Sequence, residues 1–143
     1  MMEMITRVFL TVLFGSTGFL LTAPTPNREP ALRKQVNAYY SAFSEGRYEL
    51  MWAMSSRNFR QKNDNDKAAY VAYLRKAGPI KAKAKIKDMH ITGNRAVVAV
   101  ILSLWSEPYK KFFDEEQRNV WVFERGKWLF DSQIDETGDP PKP

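Results

Sequence analysis

The chain has no cysteine and a single histidine, His90. The first absence excludes disulfides, thiolate metal sites, a cysteine nucleophile and the acylated cysteine of a lipoprotein. The second excludes a site built on paired histidines and a multi-histidine metal centre. There is no glycine-rich phosphate loop and no nucleophile elbow. Most chemistry that a short motif can announce is therefore missing, and the expectation is of no metal and no cofactor.

Also missing is an apolar run long enough to cross a bilayer. The N-terminal run from Val8 to Leu21 is 14 residues, interrupted by Gly15, Ser16, Thr17 and Gly18, against the roughly 20 that a spanning helix needs. With Arg7 before it and Thr22 and Ala23 after it, the run reads as an export signal over residues 1–23. Leu21 is large for its place in a cleavage site, and Pro24 would follow the cut. Two fates stay open: cleavage, giving a periplasmic or secreted domain, or retention at the membrane as an uncleaved interfacial anchor. Either places the domain outside the cytoplasm.

What the chain has is basic charge and aromatic surface. Its 143 residues are 44% hydrophobic and 13% aromatic, which fits one domain able to bury roughly two-thirds of its unfolded surface. The net charge of +6 favours anionic surfaces. Export makes nucleic acid the least expected of these.

The strongest local signal is Arg118 to Ile134. Two runs rich in Val, Trp and Phe flank Arg125-Gly126, a two-residue loop suited to a tight hairpin. Pairing outward places Trp121, Phe123, Trp128 and Phe130 on one face and Val120, Val122 and Leu129 on the other, with Asp131 opposite Val120. A ribbon apolar on both faces must be covered on both.

Residues 24–29 read as a linker. Leu32, Val36, Tyr39 or Tyr40, and Phe43 recur at helical spacing from about 30 to 44, and Gly46 ends that helix. A short helix holds Tyr48, Met51, Trp52 and Met54, followed by an irregular Ser55 to Arg60. A third helix, 66–77, presents Ala69, Tyr70, Tyr73, Leu74 and Ala77 on one face, and Gly78-Pro79 closes it. The period then becomes two. Ile80, Ala82, Ala84 and Ile86 alternate with Lys81, Lys83, Lys85 and Lys87. Met89 and Ile91 are out of phase with that alternation, so a bulge at Lys87-Asp88 is needed to keep all of them on one face. Gly93-Asn94 turns the chain into the apolar strand from Arg95 to Trp105. Ser106 to Gln117 reads as a long mobile hairpin tip, and residues 136–143 as a disordered tail. The class is α+β: N-terminal helices packed on a curved antiparallel sheet, spanning residues 30–135.

Three stretches carry a family resemblance: Y-Y-S-A-F-S-E-G-R-Y (Tyr39 to Tyr48), I-T-G-N-R-A-V-V-A-V (Ile91 to Val100) and V-F-E-R-G-K-W (Val122 to Trp128). Residues 30–134 resemble the nuclear transport factor 2-like superfamily, the cone-shaped fold of ketosteroid isomerase, scytalone dehydratase, polyketide cyclases and many exported bacterial domains. The resemblance implies a cone with a cavity and frequent dimerisation through the sheet. It implies no reaction, because that fold hosts enzymes, binders and assembly domains alike.

Each candidate site has a plainer reading beside it. His90 is a strand residue on the basic face, where a surface role is commoner than catalysis. Asp131 is a weak catalytic candidate: a cavity would raise its pKa and make it a base, whereas a place at the sheet rim would leave it in water. Asp64-Asn65-Asp66 lacks the glycine and glutamate of a calcium loop and reads as a loop with a helix cap. The lysine stripe is either an anion-binding face or a solvated edge whose stems cover Ile101 and Trp105. Tyr40, Phe43, Trp52, Tyr70, Trp121 and Trp128 are candidates to line an apolar ligand cavity, though most aromatics must be ordinary core.

The resulting expectation is a non-catalytic exported domain that binds a small apolar or anionic ligand or an envelope protein, as a homodimer and without nucleic acid. The alternative is a small isomerase or cyclase-type enzyme using Asp131 as acid or base in the cone cavity, with a Tyr hydroxyl as its second group.

Overall fold

A computed structural model describes residues 27–78 and 80–134. The expected export signal, the first linker residues and the expected tail lie outside them. Helix α1 spans Glu29–Ser44, with Pro30 in its first turn and Leu32, Val36, Tyr39, Tyr40 and Ala42 buried. It ends where Gly46 adopts φ 73°. There the Arg47 N–H donates to Ala42 O at 2.8 Å and the Gly46 N–H to Phe43 O at 3.3 Å, satisfying two terminal carbonyls.

Helix α2 is Tyr48–Ala53. The stretch after it, expected to be irregular, forms helix α3, Arg57–Lys62, because Ser56 Oγ accepts from the Phe59 N–H at 3.0 Å and nucleates the turn. Helix α4, Lys67–Lys76, is capped by Asp66, which accepts from the Ala69 N–H at 2.9 Å. The described residues thus hold four helices rather than three. The α4 face is also rotated from its expected position: Val71 is the buried residue, Tyr70 and Leu74 are half-buried, and Tyr73 is 76% exposed. Only one turn of α4 meets the core, against α2, so the outer tyrosine goes to solvent.

Four antiparallel strands follow in the order β1-β2-β3-β4: Ala82–Thr92, Arg95–Ser106, Lys111–Glu124 and Lys127–Ile134. The bulge in β1 skips Lys87, so that Ile86 faces Val100 and Met89 faces Val98. Every apolar residue of the strand then points to the helices. The β2–β3 connection is shorter than expected, four residues from Glu107 to Lys110. Cross-strand partners extend the ladder to Ser106 and Lys111, among them Ser103 donating to Asp114 at 2.5 Å and Trp105 against Phe112 at 5.1 Å.

In β3–β4, Arg125 (φ 52°) and Gly126 (φ 81°) make the expected turn, and Trp121 faces Phe130. Beyond that pair the expected register is corrected. A second bulge leaves Asp131 without a partner and sets Val120 opposite Ser132. The cause is a short parallel bridge between Phe130 and Ser55, in which the Phe130 N–H donates to Met54 O at 2.9 Å and the Ser56 N–H donates to Phe130 O at 2.8 Å. This clasp pulls β4 toward the helices.

The core lies between α1, α2 and the inner sheet face, where Trp121, Trp128 and Phe130 meet Leu32, Val36 and Tyr39. Tyr39 stacks on Phe130 at 4.7 Å and meets the edge of Trp121 at 5.5 Å. The outer face carries Val97, Ile101, Val120, Val122 and Leu129.

Candidate functional site

The inner face is not filled along its whole length. Between α1, α2 and β2–β4 lies a pocket of about 160 Å³ lined by Tyr39, Tyr40, Phe43, Met51, Leu102, Gln117, Asn119, Phe130 and Gln133. Its position follows from the inward register of β3, where apolar Trp121 gives way to polar Asn119 and Gln117 at alternate positions. Helix α1 cannot pack dry against two amides. It meets them with a hydroxyl: Tyr40 donates to Asn119 Oδ1 at 2.8 Å and lies 3.3 Å from Gln117 Oε1.

Burial pushes the Tyr40 hydroxyl up to about 12, against a smaller lowering by the Asn119 hydrogen bond. Burial likewise holds Tyr39 well above its ordinary value, and raises Tyr70 behind it. The lining side chains are aromatic, aliphatic or amide, and its only ionisable groups are tyrosines that keep their protons at ordinary pH. The pocket can offer ring contacts, amide groups and a hydroxyl, and no charge.

Of the six ligand-binding candidates, the structure brings Tyr40 and Phe43 into this lining. Trp121 and Trp128 are 0% and 1% exposed and belong to the core behind it; neither indole N–H has a hydrogen-bond partner among the described residues. Trp52 and Tyr70 pack with Phe59 outside the lining, with Tyr70 5.2 Å from Trp52 and 5.7 Å from Phe59 between ring centres, and Phe59 in turn meets Phe130 at 5.4 Å. Tyr39, Met51, Leu102, Gln117, Asn119, Phe130 and Gln133 line the pocket and were not among the six. The available signal was the pair of polar residues at inward-facing positions of a strand otherwise rich in aromatics.

Asp131 is not among the lining residues. Its carboxylate accepts from Ser56 Oγ at 2.6 Å and from Asn58 Nδ2 at 3.3 Å, which ties the β4 bulge to the start of α3. His90 is exposed opposite Val97. Beside the pocket, and sharing Tyr40 as a wall, runs a polar groove of about 330 Å³ between α1 and β1, with Asn37, Ser41, Ser44 and Lys83 along it. Among the described residues no group of three or more His, Asp or Glu side chains is placed to hold a metal ion.

The lysines of β1 are exposed. Lys87 pairs with Glu116 at 3.1 Å, Lys81 sits 5.2 Å from the Trp105 ring and Lys83 4.6 Å from the Phe112 ring.

No protein-family model and no curated protein matches the sequence. Solved structures do resemble the fold. A SEC-C motif-containing protein from Rhodopseudomonas palustris superposes with a TM-score of 0.54 at 13% identity, over 71% of this chain and 77% of that one. A designed protein of nuclear transport factor 2-like architecture superposes with a TM-score of 0.56 at 12% identity, over 73% of this chain and 96% of the design. Helices packed on an open four-stranded antiparallel sheet, with these neighbours, give the chain the nuclear transport factor 2-like fold.

Proposed function

We propose that this chain is a non-catalytic binding domain whose pocket takes a small, uncharged, single-ring ligand. The observation that carries this reading is the lining, in which aromatic and amide side chains surround one buried hydroxyl and no carboxylate, imidazole or cation takes part. A cavity of about 150 Å³ accommodates benzene, so a pocket of about 160 Å³ suits one ring with a polar substituent. The absence of a lining cation favours a neutral ligand over an anionic one.

The test uses phenol, indole and benzoate as probes in thermal-shift titrations. Phenol or indole raises Tm, benzoate does not, and Leu102→Trp, which fills the pocket, abolishes the shift. Equal shifts in the filled variant would overturn the reading.

The competing reading is an isomerase or cyclase-type enzyme that uses Asp131 with a tyrosine hydroxyl. It would be supported by turnover of an ester or enone that Asp131→Asn abolishes. The hydrogen bonds from Ser56 and Asn58 to that carboxylate support the non-catalytic reading. Export rests on residues 1–23, and pairing as a homodimer rests on the apolar outer sheet face. Cell fractionation and sedimentation equilibrium test these two extensions.

A further inference from the structure

We propose that the tip of the β2–β3 hairpin is a docking surface for the interface of an anionic lipid bilayer. The proposal is independent of the pocket. At the tip, aromatic rings stand on both faces of the ribbon. Trp105 and Phe112 pair on the outer face, and Tyr109 and Phe113 meet at 5.6 Å on the other. Tyr109 is 70% exposed and Phe113 44%. A protein partner would cover one face of such a ribbon, whereas a bilayer interface surrounds a tip from all sides, and aromatic rings concentrate at that depth.

The charges match an anionic headgroup layer. Lys81, Lys110 and Lys111 stand at the tip against Glu107 alone, three positive charges less one negative, or +2, and in the next row Lys83 and Asp114 lie across Ser103 from each other. Glu107 is itself engaged by Trp105 Nε1 at 2.9 Å and Lys110 Nζ at 3.1 Å. The Lys111 ammonium group lies over the Phe113 ring, 4.8 Å from its centre, so ring and positive charge are presented together at the tip. Below the tip, Asp114, Glu115 and Glu116 are exposed on β3 and limit the depth of insertion. The same carboxylates disfavour a nucleic acid strand, whose phosphates would have to run past them. Trp105 and Phe112, the rings such a strand would stack on, already carry Lys81 and Lys83.

The tip lies at the opposite end of the sheet from the start of α1. At that far end Arg28 lies 3.9 Å from the Phe123 ring and donates to Asn94 Oδ1 at 2.8 Å. The 12 residues of β2 separate the two ends, roughly 36 Å at strand rise.

The chain has no cysteine, so Pro108→Cys at the tip and Lys127→Cys at the far end can each carry one environment-sensitive fluorophore in the full chain. With vesicles of phosphatidylcholine containing phosphatidylglycerol, the label at 108 shifts to the blue and the label at 127 does not. Pure phosphatidylcholine vesicles leave both unchanged. In the labelled Pro108→Cys chain, Tyr109→Ser with Phe113→Ser removes the shift. Lys110→Glu with Lys111→Glu weakens binding at least about twentyfold, since each lysine near an anionic surface contributes roughly fivefold. All four positions are exposed, and circular dichroism verifies folding. A shift only at 127, an equal shift on both vesicle types, no shift at all, or binding of an oligothymidylate in competition with the vesicles would overturn the proposal.

Discussion

The hydroxyl of Tyr40 donates to Asn119 Oδ1 at 2.8 Å, joining α1 to the middle of β3 in a place where Asn119 is only 1% exposed. Tyr40→Phe leaves that acceptor buried without its donor, at a cost of about 1–3 kcal/mol at neutral pH. Urea denaturation of the two proteins measures it.

The same hydroxyl makes stability depend on alkaline pH. Its folded value of about 12 lies above the ordinary 10.0, so the folded state holds the proton more tightly. The contribution is complete below pH 10 and disappears as pH climbs through 12, a total of roughly 2–3 kcal/mol. Urea melts at stepped pH, followed alongside tyrosinate absorbance, should show this loss. In Tyr40→Phe the slope becomes shallower but does not vanish, because Tyr39 and Tyr70 are raised as well.

Asp131 is expected to behave as a structural carboxylate. Asp131→Ala removes the acceptor for Ser56 Oγ and Asn58 Nδ2 and costs about 1–2 kcal/mol. Ser56→Ala costs a similar amount, because Ser56 also caps α3. The double variant loses less than the sum, with a coupling on the order of 1 kcal/mol. Asp131→Asn retains a carbonyl oxygen that can accept from Ser56, so it changes stability little and leaves the phenol thermal shift intact.

The two buried tryptophans have unpaired indole N–H groups among the described residues. Trp121→Phe therefore removes an unsatisfied donor together with some ring volume, and these effects oppose each other. The net loss is less than about 2 kcal/mol, whereas Trp121→Ala, which removes the same donor but opens a much larger cavity, costs about 3–5 kcal/mol. Chemical denaturation of both variants distinguishes packing from polarity at this site.

What could be read in the sequence depended on whether apolar residues continued past each irregularity. Met89 and Ile91 lie beyond the β1 bulge and break the alternation of Ala82, Ala84 and Ile86, so the slip was visible, and the observed bulge falls at the expected place. Beyond Asp131 come only Ser132, Gln133 and Ile134, too few apolar residues to record a second slip. Helix α3 contains one large apolar residue, Phe59, so it has no period to detect; it rests on the Ser56 cap and the β4 clasp. The β3 run from Asp114 to Gln117 is polar and read as loop, because at the far end of the sheet both of its faces reach solvent. The pocket was half legible. Tyr40 and Phe43 were expected there by helical spacing, but Asn119 and Gln117 matter because they share the face of Trp121, and the structure supplies which hairpin face turns inward.

The β1 bulge leads to a contrast between two single-residue deletions. Removing Lys87 leaves Ala82, Ala84, Ile86, Met89 and Ile91 in unbroken alternation, so every pair with β2 can persist. The loss is confined to an exposed Lys87–Glu116 ion pair and the local bend, and this deletion costs less than about 1 kcal/mol. Removing Lys85 instead shifts everything upstream by one position, turning Lys81 and Lys83 toward the helices and Ala82 and Ala84 to solvent. Burying those ammonium groups without partners is strongly unfavourable, so the strand must detach above Ile86. Denaturation of the two deletion variants, with amide exchange along β1, should give a near-normal Lys87 deletion and a Lys85 deletion that has lost protection from Ala82 to Ile86. The reverse order would mean that the bulge is held by something other than the apolar pattern of the strand.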